Sequence, residues 1–180
     1  MKPENDEPRR GGVRSPTTHG SRAGEFLSAS VCTNKEFYAH IIHTRMTPRH
    51  WLIKFAPFRT SWAEIVARGG FTPRGIRSPE ARKHLKSMEV GDRVFFFQSQ
   101  QDQAVMGLLE VTRTTYPDPT SANPAWLTCD FQPIRTFHPP ISLATIRSWE
   151  SFVASPLLRQ PRLSVMPVQP EEADRILESI

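Results

Sequence analysis

Apolar and polar positions along the chain change character near residue 46. From residue 1 to 45, Pro, Gly, Ser, Thr, Asn and charged residues dominate, and PRRGGVRSPTTHGSRAGE shows neither a helical nor a strand period. Residues 1–45 are expected to be a disordered or dispensable extension, with FYAHII at 37–42 able to form a short strand or helical turn if it docks on the body. Met46 stands just ahead of the first patterned segment, so residues 46–180 are expected to form the domain, with Met46 as an alternative or native start. Peptides from residues 1–45 in the native protein would show otherwise.

The body opens with HWLIKF, a β-favouring run over residues 50–55 that Pro57 ends. Ser61 with Glu64 three residues on is a capping box, and Trp62, Ile65 and Val66 give the helix an apolar face before Gly69 and Gly70 stop it. Ser78-Pro79 is an N-cap with Pro at the first helical position; Ala81, Leu85 and Met88 share one face, with Arg82, Lys83 and Lys86 opposite. Gly91-Asp92 turns into RVFFFQS, and after QQDQ the chain returns through residues 104–116, a hairpin. A third strand is expected within residues 125–137, with apolar contacts from Trp126, Phe131, Ile134 and Phe137 and with Pro133 at a bulge or edge. Ser142 caps a short helix with Leu143 and Ile146, LSVMPV is a last strand, and Pro170-Glu171-Glu172 opens a terminal helix. About five strands and four helices, neither strictly alternating nor purely β, predict an α+β fold with a mostly antiparallel, curled sheet in a small barrel.

Composition narrows the classes. With 38% hydrophobic and 23% charged residues and no run of about 18 apolar residues, a membrane span is excluded. No signal-peptide pattern is present, so an intracellular protein is expected, cytoplasmic if bacterial and nuclear if eukaryotic. Cys32 and Cys129 match no metal-ligand spacing, and two free thiols are expected. A formal charge of +5 is compatible with a nucleic-acid partner and does not establish one. No heptad or apolar stripe stands out, so a monomer is expected.

Catalysis finds little support: GxSxG, a Walker loop, GxGxxG, HExxH and paired-Cys zinc sets are all absent, so no cofactor or metal is expected. His40 and His43 form an HxxH without a completing ligand. Cys129 reads as a buried thiol, His138 as part of a solvated turn, and Asp118 in YPDP as a backbone-bonding turn residue. Base recognition needs an aromatic floor, convergent polar groups and cations. Trp51, Lys54 and Phe55 on the first strand, Arg74, Arg77 and Ser78 before a helix, and Phe97, Gln98 and Ser99 ending a hairpin strand supply these types. Trp51 and Phe97 are equally readable as core.

In order, HWLIKFAPF, GIRSPEARKHLKSMEVGDRVFFFQS, GLLEVTRTTYPDPT and LLRQPRLSVMPV resemble the motifs of the EVE domain family, a PUA-like superfold related to YTH readers, over residues 48–177. The resemblance implies a pseudo-barrel and a non-catalytic reader of a flipped or unpaired modified base, with modified cytosine in DNA favoured over RNA. Carried over by position, Trp51 and Lys54 would line the pocket, Arg77 would face base or phosphate, Ser99 would meet the ligand edge, and Arg162 and Ser164 would close the site. Phosphates would fall to Arg74, Arg82, Lys83 and Lys86. Phe55-Ala56 replaces the family's Ser-Glu, Ser78 and Lys83 replace Asn, Gln98 replaces His and Met166 replaces Gln, so the ligand edge is less polar. Phe55 and Phe97 would either stack on a base or, in the case of Phe55, fill the cavity. Three functions stay open: a base reader, an RNA-binding accessory in RNA modification or processing, and a protein-interaction module that has lost its pocket.

Overall fold

The computed structural model describes residues 48–180. The expectations for residues 37–42, for HxxH, for Cys32 and for Met46 lie outside the described residues. Five strands, β1 His50–Phe55, β2 Arg93–Gln98, β3 Ala104–Pro117, β4 Leu127–Ser142 and β5 Val165–Val168, form one sheet in the order β4-β3-β2-β1-β5. Only β1 and β2 run parallel, with Lys54 opposite Phe97; the other neighbours are antiparallel. The crossover between them holds helices α1 Trp62–Arg68 and α2 Pro79–Lys86, the length a parallel connection requires. After β4 come α3 Leu143–Arg147, a 3-10 turn Glu150–Phe152 and α4 Pro156–Arg159, and α5 Pro170–Glu178 ends the chain.

The caps form as the sequence predicts. Ser61 and Glu64 make a reciprocal capping box, Gly69 closes α1 in the left-handed region, and Ser78 accepts from the Ala81 amide with Pro79 at the first position of α2. The sheet curls and stays open, with β4 and β5 at its edges, and Phe71 in the loop after α1 bridges to Phe131 of β4 through two 2.9 Å backbone hydrogen bonds. This PUA-like α+β arrangement covers both faces of the central strands, which explains why β2 reads RVFFFQ instead of alternating. On one face Trp62, Phe71 and Phe96 meet; on the other Phe97 meets the helices after β4.

Three details differ from expectation. Val66 is 46% and Ile134 41% exposed, because Trp62 and Ile65 already bury α1 against the sheet and edge strand β4 turns Ile134 outward. The 3-10 turn and α4 are additional elements, too short for periodicity to reveal, and they bury Phe152 and Leu157.

Burial holds the imidazole of His50, stacked on Phe95, and that of His84, beside Trp51, below the ordinary histidine value; Asp174 and Glu80 respectively pull the other way. The unfolded chain therefore binds more protons just below pH 6.5, so stability is full above that pH and falls as pH drops through the folded-state values. The melting temperature is expected to fall between pH 6.5 and 5, and His50→Gln with His84→Gln should flatten that fall; a slope unchanged by both would assign it elsewhere.

Candidate nucleic-acid interface

Successive residues of a strand point to opposite faces. The structure therefore divides the predicted pocket residues between two clefts, since Trp51 and Phe55 lie on one face of β1 and Lys54 on the other.

The larger cleft, about 650 Å³, has Phe55 and Phe71 in its floor. Phe71 meets Phe55 edge-on at 5.1 Å and stacks on Phe131 at 6.0 Å. Arg59, Arg68 and Arg74 stand around it. Arg59 sits 5.1 Å above the Phe55 ring and donates to the Arg74 carbonyl at 2.7 Å, so the two arginine-bearing loops are tied together. Gly75 follows at φ +69°, a left-handed turn that glycine adopts without strain, and its amide donates to Asp118. Burial pushes the Asp118 carboxyl up, but hydrogen bonds from Thr120 and Gly75 and the charge of Arg74 outweigh it and hold the pKa low; this is the backbone-bonding turn role expected. In the same cleft, Asp130 accepts from Thr72 at 2.7 Å and Tyr116 at 2.6 Å through one oxygen, while its other oxygen lies 4.0 Å from Arg113.

Across the sheet a cleft of about 250 Å³ holds Lys54, Phe97, Ser99, Gln100, Arg147 and Leu157. Lys54 Nζ donates to the carbonyls of Gln160 (3.2 Å) and Pro161 (3.3 Å), and burial lowers its pKa to about 8. Ser164 contributes a carbonyl that accepts from the Lys54 amide, and Ser99 donates its amide to Phe55, so both are fixed by the backbone of β1. Ser78 and Arg162 line a neighbouring recess that shares Pro161 with this cleft.

Several predicted groups are engaged elsewhere. Trp51 is 4% exposed, and its indole donates to Asp92 at 2.8 Å, so it is core and does not join Lys54. Gln98 is buried; its carbonyl oxygen caps the Trp62 amide at 2.9 Å and its amide group donates to Asp102. Phe55 neither fills the Lys54 cleft nor faces it. Arg77 lies 4.7 Å over Trp126, outside both clefts. Of the four predicted phosphate contacts, Arg82, Lys83 and Lys86 share one hollow beside α2, with Arg82 donating to the Ala125 carbonyl, while Arg74 belongs to the larger cleft. Burial pushes the Cys129 thiol up to about 12, which leaves it unreactive. Among the described residues no three His, Cys, Asp or Glu side chains gather as metal ligands, and no helix is long and apolar enough to cross a membrane.

Arg59, Arg68, Phe71, Thr72 and Asp130 were not singled out by sequence reasoning. The signal available for Asp130 was alternation on β4, where buried Cys129 and Phe131 flank it and turn it outward.

Comparison with known proteins places this geometry. Human thymocyte nuclear protein 1 is 27% identical over 162 residues, covering 71% of this chain and 72% of the relative. A crystal structure of a protein from Agrobacterium tumefaciens superposes with a TM-score of 0.70 at 30% identity, covering 73% of this chain and 92% of that one. The crystal structure of human THYN1 protein in complex with 5-methylcytosine containing DNA superposes with a TM-score of 0.66 at 27% identity, covering 72% and 96%. The EVE domain family model matches residues 49–179, and the chain belongs to that family.

Proposed function

We propose that this chain is a non-catalytic nucleic-acid reader that receives a modified base, a modified cytosine of DNA, in the cleft of Phe55 and Arg74. The observation that carries the reading is the coincidence in one cleft of two guanidiniums free of ion pairs and the fixed acceptor Asp130, over the buried rings of Phe55 and Phe71. A carboxylate in such a place suits the exocyclic amino group of cytosine. Arg59 and Arg74 make the cleft cationic, and Lys83 and Lys86 on α2 suit the flanking phosphates. The human relative solved with 5-methylcytosine DNA supports the ligand class.

The test is binding of the full chain to matched DNA and RNA oligonucleotides carrying unmodified, methylated and hydroxymethylated cytosine and methylated adenine, at two salt concentrations. One modified cytosine in DNA is expected to win by more than tenfold, with affinity falling as salt rises. Arg74→Glu should weaken binding at least tenfold, whereas Lys83→Gln should weaken all sequences alike. Binding that is absent or indifferent to the base would move the search to protein partners.

A second reading places the base in the Lys54 cleft, favoured by the Phe97 ring lying in one hollow with Ser99 and Gln100. Arg147→Trp, at an exposed lining position, would obstruct that hollow and abolish binding only if this reading holds.

A further inference from the structure

The charge of the larger cleft is unequal. Three guanidiniums line it, and Asp130 is its one lining carboxylate. Arg68 is paired with Glu64 at 3.7 Å, while Arg59 and Arg74 make no ion pair among the described residues. The charge of Arg74 reaches Asp118, but that carboxylate is buried and occupied by Gly75 and Thr120. Asp130 is likewise held by Thr72, Tyr116 and Arg113. A ligand that meets these groups therefore presents a hydrogen-bond donor toward Asp130 and a negative group toward Arg59 and Arg74.

Resting on the reading that this cleft receives a modified cytosine, we infer that it selects a cytosine whose modification is itself anionic, a carboxylate on the ring, over one carrying a neutral methyl or hydroxymethyl group. Guanidinium pairs a carboxylate through two parallel hydrogen bonds, whereas a methyl group in the same place leaves both arginines unmatched and partly desolvated. Discrimination then comes as much from what the neutral base fails to satisfy as from what the anionic one gains. The same guanidiniums could instead take the phosphate of any nucleotide, so the source of the negative charge has to be separated experimentally.

The experiment measures affinity of the full chain for one DNA oligonucleotide carrying, at a single position, cytosine, 5-methylcytosine, 5-hydroxymethylcytosine or 5-carboxylcytosine. Competition by the nucleoside 5-carboxylcytidine and by cytidine 5′-monophosphate forms a second arm. The carboxylated oligonucleotide is expected to bind at least tenfold more tightly than the methylated one, and Arg74→Gln should bring that carboxyl-over-methyl ratio to within about twofold, whatever it does to overall affinity. The side chain of Arg74 is exposed, and its carbonyl, which holds Arg59, is retained in this variant. 5-Carboxylcytidine should compete better than the monophosphate. If methyl or hydroxymethyl binds as tightly as carboxyl, the inference falls and the reader stands. If no modification is preferred over cytosine, both fall. If the monophosphate competes as well as the carboxylated nucleoside, the arginines serve the backbone and the inference is overturned.

Discussion

Gly107→Ala is expected to destabilise the domain by about 3 kcal/mol, enough to lower its melting temperature by about 10 °C. A Cβ at this position would lie 2.2 Å from Trp62 Cζ2, 2.7 Å from Cη2 and 2.5 Å from the Arg135 carbonyl oxygen. The indole cannot simply move aside: it packs on Phe96 and donates through Nε1 to Thr136 at 3.1 Å, and the Trp62 amide is held by Gln98. The carbonyl belongs to β4, where the ladder shifts register on both sides of Gly107. Overpacking against backbone forces the sheet itself to shift, and that cost is at the upper end for a single methyl group. Thermal unfolding of the variant checks this; a fall of under 2 °C would mean that α1 slides away from β3 at little cost.

Asp92→Ala should cost about 3 kcal/mol. The carboxylate is 3% exposed and accepts three hydrogen bonds, from the Trp51 indole at 2.8 Å and from the amides of Arg49 and Glu89 at 3.1 Å each. Alanine removes the acceptor of the buried Trp51 indole, and an orphaned buried group costs about 1–3 kcal/mol. Asp92 thereby ties the entry to β1, the end of α2 and the start of β2 at one point. Trp51→Phe is the informative companion, because it keeps an aromatic six-membered ring and removes the donor with the rest of the indole. It should lower stability by about 1 kcal/mol and leave oligonucleotide affinity unchanged, as a core tryptophan requires. Lost affinity with unchanged stability would return Trp51 to the binding site.

Local signals in the sequence carried most of the fold. The Ser61–Glu64 box, Ser78-Pro79 and Gly91-Asp92 act within four residues, so their structures follow from chemistry visible in the string. Strand β1 was legible to the residue, since Pro57 and the β-favouring run bound it. The site was less legible because it depends on facing. Lys54 and Phe55 are adjacent in sequence and open into different clefts, and matching residue types to a family pattern does not carry that distinction. Trp51 and Gln98 have the chemistry of ligand contacts, yet Asp92 and the Trp62 amide occupy them, which only the packed structure brings together. Arg59, Arg74 and Asp130 converge from three separated segments, and no spacing rule links them.

The most direct test of the central claim is amide chemical-shift mapping on an isotopically labelled chain titrated with a DNA oligonucleotide bearing a single modified cytosine. The account predicts that the largest shifts fall on Phe55, Phe71, Thr72 and Asp130, around the arginine-lined cleft. Shifts confined to Lys54, Ser99, Gln100 and Leu157 would contradict it and place the base on the other face of the sheet.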